Sequence, residues 1–217
     1  MPVLPIVKKL KRKIHRTVAL AQDILVMEIY DNFPTAVIHG GTAIWRCYGS
    51  NRFSEDVDVY LMPASRRSDM QGFLVGLKGK GLTVDRFKDT DGMIFAKLHF
   101  MGVVVRCEIL FKHVKDYVVK QFEMSDGNSI LVNTLRPEQM IRAKISAYTG
   151  RRKVRDLYDI FFLLKFVERK KELRGLLAKL VNEFQEPEDE RELKALIISG
   201  SVPTVDDMLE LVRAWVK

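Results

Sequence analysis

Ala36-Val37-Ile38-His39-Gly40-Gly41-Thr42-Ala43-Ile44-Trp45 is the stretch on which the fold reading turns. Ala36-Val37-Ile38 is a short apolar run, read as a buried strand that enters the glycine pair. From Thr42 a helix carrying Ile44, Trp45 and Tyr48 runs to Gly49. Glycine allows backbone conformations and close approaches that other residues resist, and the N–H groups at a helix start can hold phosphate. Thr42 adds a hydroxyl. An ordinary strand-to-helix turn has the same pattern, so the glycines alone decide nothing. Neither GxGxxG nor GxxxxGK[ST] is present, which leaves a Rossmann cofactor site and a P-loop without their signatures.

Outward from this turn, residues 14–30 read as an amphipathic opening helix with Val18, Leu25 and Ile29 on its apolar face, ended by Asn32-Phe33-Pro34. Val57-Asp58-Val59-Tyr60-Leu61 is the next strand. A helix follows over about Asp69 to Leu77, and then strands over 82–87, 93–100 and 103–110, with Asp91-Gly92 as a turn signal. The short links predict a mixed sheet with an antiparallel meander after a helix-linked pair. Beyond Asn133 the pattern becomes helical. Pro137 suits a helix start, and helices are expected to about Gly150, around Val154–Leu164, and over about 172–182, 188–198 and 205–216. The expected architecture is α+β: a catalytic domain over 1–134 and a helical domain over 135–217 that contributes to the cleft.

The chain of 217 residues is long enough for a sizeable core, and 47% hydrophobic with 29% charged residues is the composition of a folded protein. A formal charge of +8 favours polyanionic partners such as nucleic acid or nucleotide phosphates without choosing among them. The run Lys8-Lys9-Leu10-Lys11-Arg12-Lys13 fits either a phosphate contact or a solvated basic face. Gln22, Asp23, Glu28 and Asp31 interrupt the residues between this run and Gly40, against a membrane span or signal peptide. Cys47 and Cys107 form no CxxC, and four histidines show no metal-site spacing, so a reducing cytoplasmic setting is expected.

Asp56 and Asp58, two apart on a strand, share one face while Val57 and Val59 point the other way. Carboxylates this close repel unless cations or donors compensate, and Mg²⁺ supplies both charge and oxygen coordination. A solvated strand end with surface ion pairs is the competing reading. Glu108 shifts the balance. In the apolar run 103–110 it shares a side with Val104, Arg106 and Leu110, and a carboxylate there needs a partner or a wet cleft. If its strand lies beside 56–61, Asp56, Asp58 and Glu108 make a three-carboxylate site for Mg²⁺, or Mn²⁺ in its place, suited to phosphoryl chemistry on a bound NTP. A plain ion pair of Glu108 with Arg106 or another basic residue is the alternative. Arg52 is a candidate phosphate contact, with Ser54 shaping its loop. Arg46 reads as a charged head above its helix, and Trp45 and Tyr48 as packing residues.

Lys144, on an apolar helix, is placed to neutralise triphosphate charge. Asp156 and Asp159 share a helix face, with Arg152/Asp156 and Arg155/Asp159 spaced for ion pairs. Arg151, Arg152, Lys153 and Arg155 are candidate contacts for an RNA backbone.

Taken in order, His39-Gly40-Gly41-Thr42-Ala43-Ile44, Arg52-Phe53-Ser54-Glu55-Asp56-Val57-Asp58, Glu108, Lys144 and Arg155-Asp156-Leu157-Tyr158-Asp159 resemble the AbiEii/AbiGii abortive-infection toxins of the nucleotidyltransferase superfamily. The resemblance covers about Val37 to Leu164. It implies a polymerase-beta-like core with a helical C-terminal domain. Gly40, Gly41 and Thr42 would form the nucleotide turn, Asp56 and Asp58 would bind metal, Lys144 would act in the cleft, and Asp156 would be a further functional carboxylate. It also implies NMP transfer from an NTP, with tRNA or another RNA as acceptor, and a cognate antitoxin protein. Nucleotidylation of a protein or small molecule, and a noncatalytic nucleotide- or RNA-binding module, are the alternative functions.

Overall fold

A computed structural model of the chain describes residues 5–66 and 70–217. Its contacts divide the chain into two units, one of residues 1–49 and 54–135, the other of residues 50–53 and 136–217.

The first unit opens with a single helical turn, α1 (Ile6–Lys9), and a long helix, α2 (Lys13–Asn32). Strand β1 (Val37–His39) leads directly into α3 (Gly40–Tyr48), and β2 (Val57–Leu61) comes next. After α4 (Met70–Gly79) come β3 (Thr83–Asp89), β4 (Met93–Phe100), β5 (Val103–Phe111), β6 (Tyr117–Glu123) and β7 (Ser129–Leu135). Asp69, expected to begin α4, lies outside the described residues. The seven strands form one sheet in the order β3-β4-β5-β2-β1-β7-β6. β1 is antiparallel to β2 and parallel to β7, while β2 is parallel to β5. The β3–β4–β5 meander is antiparallel. The sheet is therefore mixed, as the short links predict.

The β6–β7 hairpin has no counterpart in the sequence reading, which places the change to helix near Asn133. Ser125-Asp126-Gly127-Asn128 turns this hairpin, with Gly127 at φ +92° and Asn128 N–H donating to Asp126. An Asp-Gly pair between alternating runs is the signal that identifies it.

Alternation along the strands separates the two sheet faces. Val57, Val59 and Leu61 on β2, and Val103, Val105, Cys107 and Ile109 on β5, are buried, while Asp58, Tyr60 and Glu108 between them are half-buried. Helix α2 packs on β4 and β5, and α3 packs on β1, β2 and β6. Trp45 and Tyr48 are core residues. Arg46 departs from expectation. Its guanidinium is buried, donating to Asp23 at 2.6 Å and to the Ala19 and Glu123 carbonyls, above the Trp45 and Phe122 rings. Of the N-terminal basic run, Lys11, Arg12 and Lys13 are exposed, whereas Lys9 is buried near Glu123. No helix among the described residues is long and apolar enough to cross a membrane.

The second unit is built on α5 (Pro137–Arg151) and α6 (Val154–Leu163), which pack together, with α7 (Arg174–Asn182), the short α8 (Leu193–Leu196) and α9 (Val205–Val216). Pro137 occupies the first turn of α5, where its missing N–H costs nothing, and Gln139 accepts from the Arg136 N–H. The expected helix over 188–198 is a 3-10 turn followed by α8 alone, because the chain extends at Ile197 to bridge Arg52. Phe53 N–H donates to Leu196 C=O at 2.8 Å and Ile198 N–H to Asn51 C=O at 2.9 Å, which attaches residues 50–53 to this unit.

Candidate functional site

Register in the first unit gathers the candidate chemistry. His39 pairs with Asp58, and Asp58 pairs with Glu108, so the three lie in one row across β1, β2 and β5. Directly opposed residues share a sheet face; this is the half-buried face. The His39 ring stacks on Tyr60 at 3.8 Å between centroids. Burial, and then the Asp58 and Glu108 carboxylates, push the Tyr60 hydroxyl pKa up.

β1 ends where α3 begins, and the first helical residue, Gly40, has φ +72°. A Cβ there would collide with the Asp58 carboxylate. The glycine requirement is thus twofold, conformational and steric. Gly49, at the other end of α3, has φ +73° but faces open space. Ala at either position costs about 1–2 kcal/mol of backbone strain, roughly 2–8 °C in Tm for a chain of this size. Only Gly40→Ala also displaces Asp58, so we expect both variants to melt earlier and Gly40→Ala alone to lose activity. Equal activity in the two at a temperature where both are folded would reject this role.

Thr42 is fully buried and its hydroxyl donates to the Asp56 carbonyl; Gln22 Nε2 donates to that hydroxyl at 3.3 Å and to the Ser54 carbonyl at 2.8 Å. The Thr42 hydroxyl therefore holds the 54–56 loop instead of meeting phosphate. Gln22 is a site-supporting residue that sequence reasoning missed; a glutamine in helical register with Val18, Leu25 and Ile29 is its sequence signal.

Arg106 does not pair with Glu108. Its Nε and Nη2 meet the Asp56 carboxylate at 2.7 and 3.1 Å, both side chains partly exposed. The hydrogen bonds to Asp56, and then its charge, raise the Arg106 pKa. Among the described residues no group of three or more His, Cys, Asp or Glu is gathered closely enough to hold a metal ion. Asp56, Asp58 and Glu108 nonetheless offer the hard oxygen donors that suit Mg²⁺, with Asp56 held by Arg106.

The helical unit has its own charged cluster. Asp159 is fully buried and receives Arg52 through two parallel bonds, 2.7 Å from Nε and 2.8 Å from Nη2, plus Lys144 Nζ at 2.7 Å. Asp156, equally buried, receives Lys144 at 3.2 Å and Arg151 at 2.8 and 2.9 Å. Burial alone would raise the Asp159 pKa, but the Arg52 guanidinium and then Lys144 overcome it and hold the carboxyl below its ordinary 3.8.

Three expectations change here. Arg52 is buried against Asp159, so it is no longer a phosphate contact. The Arg152/Asp156 and Arg155/Asp159 pairs give way to those just described. Arg152 lies beyond the end of α5 at φ 45° and pairs with Glu188; it is not on α6, so helical spacing does not apply to it. Lys153 reaches Asp189 at 3.6 Å. Three of the four residues read as RNA contacts thus face carboxylates.

Residues 24–203 match the family model described as nucleotidyl transferase AbiEii toxin, type IV toxin–antitoxin system. Among solved structures, the chain is similar to the nucleotidyltransferase toxin MenT4 from Mycobacterium tuberculosis H37Rv, with a TM-score of 0.63 at 15% identity over 96% of this chain and 85% of that one. It is also similar to JHP933 from Helicobacter pylori, with a TM-score of 0.55 at 21% identity over 91% and 88%. These likenesses are of fold. No curated protein sequence matches the chain.

Proposed function

Because this chain belongs to the AbiEii nucleotidyl transferase toxin family, within the polymerase-beta-like superfamily, we propose that it transfers NMP from an NTP to a hydroxyl of RNA, tRNA being one such acceptor. The observation that carries this reading is the row His39–Asp58–Glu108, with Gly40 at the start of α3 directly under the Asp58 carboxylate.

The N–H groups of the first turn of α3, at Gly40 and Gly41, are the proposed donors for the NTP phosphates. Asp56, Asp58 and Glu108 would hold Mg²⁺, whose contribution is to neutralise charge on the phosphates and on the leaving pyrophosphate. Glu108 accepts the hydrogen bond of the attacking hydroxyl and orients its oxygen. That oxygen forms a bond to the α-phosphorus as the bond from the α-phosphorus to pyrophosphate breaks, and the hydroxyl proton leaves toward the carboxylate. Orientation and preorganised charge supply most of the acceleration. Lys144 and Asp156 are proposed to assist on the helical unit, and a cognate antitoxin to oppose the activity.

Incubation of purified protein and Mg²⁺ with each α-labelled NTP and separated RNA, protein and small-molecule fractions tests the reading. Label in RNA with matching pyrophosphate release is the expected result. Label in protein or small molecules would move the acceptor class, and NTP or RNA binding with no product under any condition would leave a binding module.

A further inference from the structure

The helical unit carries a second basic surface that sequence spacing does not bring forward. Residues 165–174 hold Lys165, Arg169, Lys170, Lys171 and Arg174 within ten positions. The 3-10 turn Lys170–Glu172 and the start of α7 bring part of this run against the C-terminal turn of α9. Between them lies a groove of about 490 Å³, within the size range of small-ligand clefts. Leu211, Ala214 and Trp215 form its apolar part, and Lys170, Lys171, Arg174 and Lys217 its cationic part. No acidic side chain is among its lining residues.

Charge pairing separates this groove from the basic stretch 151–153. There Arg151, Arg152 and Lys153 face Asp156, Glu188 and Asp189. Lys170 and Lys171 make no ion pair with a described residue. Lys170 Nζ lies 5.7 Å from the centroid of the Trp215 ring, a cation–π contact that holds an ammonium beside a half-buried indole. Arg174 donates to the Val216 and Lys217 carbonyls at 3.0 Å each, which fixes the end of α9 under the ring.

We propose that this groove binds a single-stranded segment of RNA, with Lys170 and Lys171 on phosphates and a base stacked on Trp215. Cations that follow a backbone beside an aromatic platform are the combination that single-strand binding uses, and stacking is tolerant of sequence because every base offers a face. The inference rests on the RNA-acceptor reading above and moves the contact from residues 151–155 to residues 170–174 and 215.

Binding of a labelled single-stranded RNA, measured by anisotropy across a salt series on the full chain, tests it without requiring catalysis. Lys170→Glu with Lys171→Glu should weaken binding at least ~10-fold. The slope of log K against log salt should fall by about 1.4, at roughly 0.7 for each phosphate that is no longer neutralised. Lys78→Glu with Lys88→Glu, an equal change of charge elsewhere, should leave both nearly unchanged. Trp215 supplies a direct readout: Trp45 is fully buried, so RNA should quench the Trp215 share of the emission. Trp215→Ala should weaken binding, and Trp215→Phe should restore most of it. Parental affinity in the double variant, RNA binding without quenching, or binding of anionic phosphatidylglycerol vesicles in place of RNA would each overturn the proposal. Failure of the two readings is separable. Patch-dependent RNA binding in a protein that transfers no nucleotide sinks the catalytic reading alone, whereas RNA labelling at parental KM in the double variant sinks this one alone.

Discussion

Under the proposed reading, Asp58→Asn should abolish nucleotide transfer, by at least about 10²–10³-fold, the loss expected when one preorganised group stabilising transition-state charge is removed, and should leave the Tm within a few degrees or raise it. The two halves of that expectation have one cause. Asp58 pairs across the sheet with Glu108 and overhangs Gly40, so neutralising it relieves carboxylate repulsion while removing an anionic oxygen. A structural aspartate would behave in the opposite way, costing stability with activity falling only in proportion. Glu108→Gln should repeat the pattern. Arg106→Gln should differ in sign: Arg106 occupies Asp56 with two hydrogen bonds, so its removal should tighten Mn²⁺ binding, read by electron paramagnetic resonance. The pair is solvent-exposed and worth at most about 1 kcal/mol, so the gain is about 2–5-fold. Weaker Mn²⁺ binding in that variant would mean that Arg106 orients Asp56 and does not compete for it.

Period-two and helical patterns made most of the fold legible, because burial on one side leaves its mark in every second or every third to fourth residue. Val57–Leu61 and Val103–Leu110 show it plainly, and the expectation that Glu108 would stand beside Asp58 needed only that the two strands be neighbours, as they are. β6 was harder. Its pattern alternates exposed and half-buried residues, with Phe122 its only fully buried side chain, so the apolar signal is weak and only the Asp-Gly turn announces the hairpin. Side-chain partners were the least legible. Arg106 lies beside Glu108 in sequence but crosses to Asp56, and Arg52 finds Asp159 at a separation of 107 residues. Local spacing carries no information about pairs that only the completed fold creates. The same limit applies to Thr42, whose hydroxyl donates to the Asp56 carbonyl, a partner that local spacing does not indicate.

Asp159→Ala should destabilise the protein by about 3–5 kcal/mol, the cost of leaving one member of a buried ion pair without its partner. Arg52 and Lys144 both direct donors at this fully buried carboxylate, so its removal strands a buried guanidinium and crowds two cations. Chemical denaturation should show the loss as a lower midpoint. Replacing Asp159 and Arg52 together by apolar residues of similar volume should recover much of it, since the desolvation cost of the pair disappears with its attraction. If the double variant is no better than the single one, the contribution of Arg52 lies in its other contacts, such as Nη1 on the Phe53 carbonyl at 3.1 Å. Acid should mimic the substitution. The folded pKa of Asp159 is depressed below 3.8, so its contribution is fully present above the unfolded value and is lost as pH falls through the lower folded value. Parental protein should therefore lose stability below about pH 4 more steeply than the apolar double variant, which has no such carboxylate to protonate. Equal acid sensitivity in the two would show that other carboxylates govern the transition.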